Sequence, residues 1–165
     1  MAISSQHHKA YWAEFVKSLS PNDVRRDMRP DAFAFAGGGE LGNELLALVL
    51  RRIKQATTSL PMEYTSTNDP LPKAGDLRIV LDSNDNPAAI IETISVVAVP
   101  FREVDAAFAA YEGEGDGGLG YWREAHTWYF KKVCQQLGGK FEPTTEVLCQ
   151  KFKLVWPPGQ AVRQY

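Results

Sequence analysis

The stretch LLALVLRRIKQATTSL, residues 45–60, changes character halfway along. Leu41, Leu45, Leu48 and Val49 recur at helical spacing and form one apolar stripe. Thr57, Thr58 and Ser59 are poor helix formers that favour strands and turns, so the helix is expected to stop near Lys54–Gln55. A lysine at a helix end followed by hydroxyls presents a cation and hydroxyl groups at one rim. That combination suits a phosphate, a carbonyl or a nucleobase edge. The same residues also have a purely structural use: Lys54 would complement the helix dipole and Thr57 would open a strand.

Working outward, Tyr11, Trp12, Phe15, Val16 and Leu19 lie at helical intervals and predict an amphipathic helix, with Ser20-Pro21-Asn22-Asp23 ending it. This segment, residues 1–25, is expected to be a helical extension on a single domain spanning 26–165. Residues 60–74 hold three prolines, several hydroxyls and Tyr64, and read as a long loop. Strands are expected over 77–81 and 88–99, joined by a turn at 83–87 into an antiparallel hairpin. A short helix follows over 102–111. Leu119, Trp122, His126, Phe130, Val133 and Leu137 trace the buried stripe of a longer helix, ended by Gly138-Gly139. Residues 146–156 return as a strand. Strands and helices without a βαβ rhythm predict an α+β fold built on a small mixed barrel with flanking helices.

Three apparent motifs carry no function. Gly37, Gly39 and Gly42 match a dinucleotide fingerprint, but the elements that follow do not alternate as a doubly wound sheet requires. Asp82, Asn84 and Asn86 resemble half a calcium loop, yet Pro87 and Thr93 occupy its glycine and glutamate positions, so a hairpin turn is expected. His7 and His8 are expected to be exposed rather than ligating.

With 165 residues, the chain is long enough to bury roughly 70% of its unfolded surface. Hydrophobic residues make up 44% and charged residues 23%, the composition of a soluble globular protein. A net charge of −2 provides no bulk field for nucleic acid, so any such contact needs a local patch. No apolar run reaches the length of a membrane span, and no signal peptide is evident. Cys134 and Cys149 lack metal-binding spacing and read as buried, reduced thiols of a cytoplasmic protein. No metal or cofactor is expected.

The second chemical cluster is Glu112-Gly113-Glu114-Gly115-Asp116-Gly117-Gly118. Negative charge suits the N-terminus of the helix beginning near Leu119. The glycines would also let backbone approach a ligand closely and carry Glu112 and Glu114 into a cleft. Tyr121 and Arg123 lie off the apolar stripe, where a ring and a guanidinium could stack on and bond a base. Trp122 and His126 lie on the stripe and read as core.

Several of these features recur together. Phe33-Ala34-Phe35, the 48–60 segment, Gly75-Asp76-Leu77, Ile91-Glu92-Thr93, Pro100-Phe101, the 112–116 cluster, Leu119, the run from Tyr121 to His126, and Phe130 together resemble the ASCH domain family, whose fold is similar to that of the PUA family of RNA-binding barrels. The family hallmark is G-x-K-x-x-T. Lys54 and Thr57 occupy its lysine and threonine positions, and Arg52 stands where glycine is expected. The resemblance implies a PUA-like β-barrel with flanking helices that acts on RNA or on a nucleoside or nucleotide ligand. It most concretely implies an amidohydrolase on N(4)-acetylcytidine-like substrates. There, Thr57 would be the nucleophile and Lys54, as the neutral amine, its general base. Glu114, with Glu112 next in line, would orient Lys54 or carry a proton. Arg52, Tyr64, Tyr121 and Arg123 would contact substrate. Two alternatives fit the same family: a ribonuclease, with Lys54 and Arg52 or Arg123 facing the phosphorane, and a non-catalytic RNA-binding module in which Lys54 pairs with phosphate.

Overall fold

The computed structural model describes residues 5–159. Helix α1 (Gln6–Ser18) is capped by Ser5, whose hydroxyl accepts from the His8 amide. β1 (Asp31–Phe33), α2 (Gly39–Leu50), β2 (Ala56–Ser59), α3 (Pro61–Thr67) and β3 (Leu77–Leu81) follow. β4 (Pro87–Pro100), α4 (Ala106–Glu112), α5 (Leu119–Gln136) and β5 (Glu146–Trp156) complete the order. The five strands form one sheet in the order β1-β3-β4-β5-β2. β1 runs parallel to β3, while the β3–β4 and β2–β5 pairs are antiparallel. The fold is α+β and PUA-like, as expected. The sheet does not close on itself.

Two compact units divide the chain, and β4 and β5 contribute residues to both. In the unit formed by residues 5–50, 76–92 and 153–159, Trp12 and Phe15 of α1 pack with Leu77, Ile79, Leu81 and Ile90. The expected helical extension therefore supplies core residues to this unit. Its hairpin turn is held by Asp82 Oδ1, which accepts from the amides of Asn84 and Asn86. In the unit formed by 51–75 and 93–152, Phe101, Phe108, Trp122, Phe130 and Val147 join Ala56 and Leu60 in a second core. Most of the stripe read from the sequence is the buried face of α5, with Trp122, His126, Phe130 and Val133 buried, but Leu119 is half-buried and Leu137 lies past the helix end and is exposed.

Four local expectations are corrected. Helix α2 stops at Leu50, not near Lys54–Gln55, because Arg52 adopts a left-handed backbone with φ 59°. That conformation costs a non-glycine residue about 1–2 kcal/mol, a cost that glycine, the residue expected at this position, does not carry. Residues 60–74 are not all loop: Pro61 occupies the first turn of α3, and Glu63 reaches back to accept from the Leu60 amide at 2.7 Å. A proline that looked like a breaker is a helix starter. The segment after Pro100 is a short 3-10 turn, Phe101–Glu103, followed by α4, whose last residue is Glu112. Glu112 therefore belongs to a helix and not to the glycine-rich loop. His8 is buried, with its Nε2 3.0 Å from the Asp85 carbonyl, whereas His7 is exposed as expected.

Candidate functional site

The site lies wholly within the unit of residues 51–75 and 93–152. It begins where the segment preceding β2 runs beside the end of α4. The Gln55 amide donates to the Tyr111 carbonyl at 2.8 Å. Gly113 then turns the chain with φ 65°, and a Cβ there would lie 2.7 Å from the Ile53 carbonyl oxygen. This close approach sets Lys54 against Glu112. Gly113→Ala should therefore cost about 1–3 kcal/mol through backbone strain and the Ile53 clash. Urea unfolding of the variant would measure it, and an unchanged midpoint would refute the packing account.

Lys54 and Glu112 are each only 1% exposed, yet both carry charge. The Lys54 ammonium directs its three protons to the Ala56 carbonyl at 2.8 Å, Glu112 Oε2 at 2.9 Å and Glu114 Oε1 at 2.6 Å. The other Glu112 oxygen, Oε1, accepts from the Thr58 hydroxyl at 2.5 Å and from Trp122 Nε1 at 3.1 Å, with His126 Nε2 3.4 Å away. Glu112 is thus saturated by protein donors. Glu114 differs: its side chain keeps 17% exposure, and Lys54 holds only one of its oxygens.

Burial works against the Lys54 charge, but Glu112 and Glu114 outweigh it and raise the ammonium's pKa. The base role expected of neutral Lys54 is therefore opposed by its own surroundings. Burial also pushes Glu112 up, yet Lys54 and then His126 hold its carboxyl far below the ordinary range. For Glu114, burial is the main cause of a raised pKa; the Lys54 charge opposes it and the neighbouring Glu112 adds to it.

The remaining expected residues are distributed as follows. Thr57 lies in β2, where burial alternates. Ala56 and Thr58 take the buried face, so Thr57 and Ser59 turn to the other one. Tyr64 is half-buried and bonds Ser59 Oγ at 3.1 Å, on that same side of β2. Arg52 is exposed. Tyr121 is 45% exposed and lies against Gly115, where an added Cβ would stand 2.6 Å from its ring. It therefore braces the loop that carries Glu114. Arg123 does not join Lys54; it donates to the carbonyls of Arg102 and Val104, both at 2.9 Å, and secures the start of α4. Sequence reasoning missed Thr58 as a Glu112 partner, although the β2 alternation shared with Ala56 was a usable signal. It also missed that the polar edges of Trp122 and His126 meet Glu112.

Glu112, Glu114 and His126 present possible ligand atoms within 4.8 Å of one another. The Lys54 ammonium already bonds both carboxylates, occupying the place a cation would take. We therefore regard the three as ion-pair partners and not as metal ligands. Cys134 and Cys149 are buried free thiols, and burial pushes Cys149 up to about 12, with the Glu112 charge adding to it.

A family model described as ASCH domain matches residues 31–156. Among solved structures, an ASCH domain from Lactobacillus crispatus is 30% identical, with TM-score 0.84, covering 92% of this chain and 95% of its own. A protein from Enterococcus faecalis is 33% identical, with TM-score 0.79, covering 91% of this chain and 88% of its own. No curated protein matches by sequence.

Proposed function

This chain belongs to the ASCH domain family, and we propose on that premise that it acts on RNA or modified nucleosides, most concretely as an amidohydrolase removing the acyl group of N(4)-acetylcytidine-like substrates. One observation carries the proposal. In a buried network of opposite charges, Glu114 reaches solvent furthest, at 17% against 10% for His126 and 1% for Lys54 and Glu112. An acid or base must be reachable, and Glu114 is the most reachable member.

In this scheme the ionised Glu114 carboxylate takes a proton from a water molecule as its oxygen attacks the acyl carbon. The C–N bond then breaks, and Glu114 returns the proton to the departing amine nitrogen. The products are a carboxylic acid and the free nucleoside. Lys54 stays an ammonium throughout and fixes the Glu114 carboxylate, while Glu112 fixes Lys54. Water is assigned as the nucleophile because β2 turns Thr57 away from the face shared by Ala56 and Thr58. Thr57→Val distinguishes the two, since it keeps turnover with water and loses it if the Thr57 hydroxyl attacks.

A second observation favours RNA over a free nucleoside as the ligand. Trp128 is 65% exposed with the Lys132 ammonium 5.5 Å from its ring centre, and Tyr111 is 44% exposed with Lys151 at 4.0 Å. Exposed rings beside cations suit stacked bases and nearby phosphates.

The test is incubation with acetylated nucleosides and with single-stranded RNA, with products resolved by mass spectrometry. Glu114→Gln should lower turnover by about 10²–10⁴-fold and leave the fold in place, because glutamine still accepts from Lys54. Chain cleavage would favour the ribonuclease. Salt-sensitive binding without any product would favour the non-catalytic module.

A further inference from the structure

A carbonyl oxygen only accepts hydrogen bonds, so the 2.8 Å contact between His126 Nδ1 and the Trp122 carbonyl places a proton on Nδ1. The other ring nitrogen, Nε2, lies 3.4 Å from Glu112 Oε1. In a neutral ring protonated at Nδ1, Nε2 would hold a lone pair 3.4 Å from a carboxylate oxygen. Two acceptors facing each other in a buried site repel, with little water to screen them. A proton on Nε2 turns that repulsion into an ion pair. The ring also stacks on the Trp122 indole with centroids 4.2 Å apart and planes 18° apart, a position that favours a cation.

We propose that His126 is a buried imidazolium and a positioning residue, whose charge keeps Glu114 ionised and ready to accept a proton. The proposal rests on the role of Glu114 given above. Charge counting gives its logic. With Lys54 positive and Glu112 negative, an ionised Glu114 leaves the network one negative charge in excess. An imidazolium at His126 brings the four groups to neutrality. If the ring loses its proton, neutrality requires a protonated Glu114, which cannot act as a base. His126 therefore sets the protonation of a carboxylate without itself meeting substrate.

Glu112 from α4 and Glu114 from the following loop face the ring, Lys54 from the segment before β2 bonds both of them, and Cys149 of β5 senses the Glu112 charge. The Cys149 thiol, pushed up to about 12, stays neutral. Phe130, 5.6 Å away, closes an apolar side. Burial lowers the His126 pKa, but the hydrogen bond and charge of Glu112 outweigh it and raise the value. This agrees with the donor geometry.

The experiment is nitrogen and carboxyl-carbon NMR across a pH series. The chain has three histidines, so the imidazole signals are few. Wild-type His126 should carry protons on both nitrogens at neutral pH. In His126→Gln the Glu114 carboxyl midpoint should rise by about 1–3 pH units. Stability gives an independent readout. A histidine with a raised folded pKa stabilises fully below 6.5, and that stability is lost as pH rises through the raised value. The wild-type melting temperature should fall across that window, and the fall should shrink in His126→Gln. An unprotonated Nε2 in the wild type at neutral pH would overturn the proposal, and this measurement needs no variant to fold. So would an unmoved Glu114 midpoint in a folded His126→Gln. Neither readout uses turnover, so an absence of activity on both acylated nucleosides and single-stranded RNA would defeat the functional proposal and leave this one standing.

Discussion

Lys54→Ala should destabilise the protein by about 3–5 kcal/mol, the range for removing one partner of a buried ion pair. A helix-terminal lysine would contribute only about 0.3–1 kcal/mol, and the sequence alone suggested that position for it. The structure instead places the ammonium at 1% exposure between two carboxylates and a carbonyl. Its loss leaves Glu112 and Glu114 with only the His126 charge against two carboxylates. Total stabilities of small domains are about 5–15 kcal/mol, so the change removes a large share. Urea unfolding followed by circular dichroism measures it. The pair Lys54→Met and Glu112→Gln should recover part of the loss, because removing both charges costs less than orphaning one. An unfolding midpoint within error of wild type for Lys54→Ala would refute the buried network. It also follows that activity lost in Lys54→Ala is not evidence of catalysis by Lys54 until folding has been measured.

Trp122→Ala should cost about 3–5 kcal/mol, the range for truncating a buried aromatic. The indole is 2% exposed and stacks on Phe101, with ring centroids 5.2 Å apart and planes at 26°. Its opposite side carries His126, and its Nε1 proton bonds Glu112 at 3.1 Å. Two contributions can be separated. Trp122→Phe keeps an apolar ring and removes the donor, so it should cost about 1.5–3 kcal/mol, the range for one hydrogen bond to a charged group. The remainder in Trp122→Ala is packing. Thermal melts of both variants test the split. Equal stability of wild type and Trp122→Ala, with loss of ligand binding alone, would make the ring a stacking platform and not core.

Much of this fold was legible because periodicity reports burial. The α5 stripe and strands β3, β4 and β5 follow from spacing alone, and the Asp82–Pro87 turn from its Asx chemistry. The failures occurred where one residue type serves two opposite purposes. Pro61 starts α3 instead of breaking a helix, and Arg52 takes a backbone conformation that its side chain disfavours. Within the site, Glu112 and Glu114 were visible as an acidic cluster, and Lys54 as a cation at a helix end. What no local pattern holds is that Lys54 and Glu112, 58 positions apart, share one buried pair. Their partnership depends on the Gly113 turn against Ile53, a tertiary contact. For the same reason Arg123, which looked free to bind a ligand, is used on two carbonyls.

The convergence of Lys54, Thr58, Trp122 and His126 on Glu112 also constrains how such a chain can diverge. Glu112 holds each of the other four, so losing any one of the five leaves a buried charge or polar group short of a partner, at a cost in stability. Descendants that had lost every enzymatic role would still keep all five. Shared possession of them among homologues therefore reports ancestry and foldability, not chemistry. Glu114 is under weaker constraint, tied by one bond and reaching water. Across a lineage, its retention or loss is the better indicator of whether the active chemistry has survived.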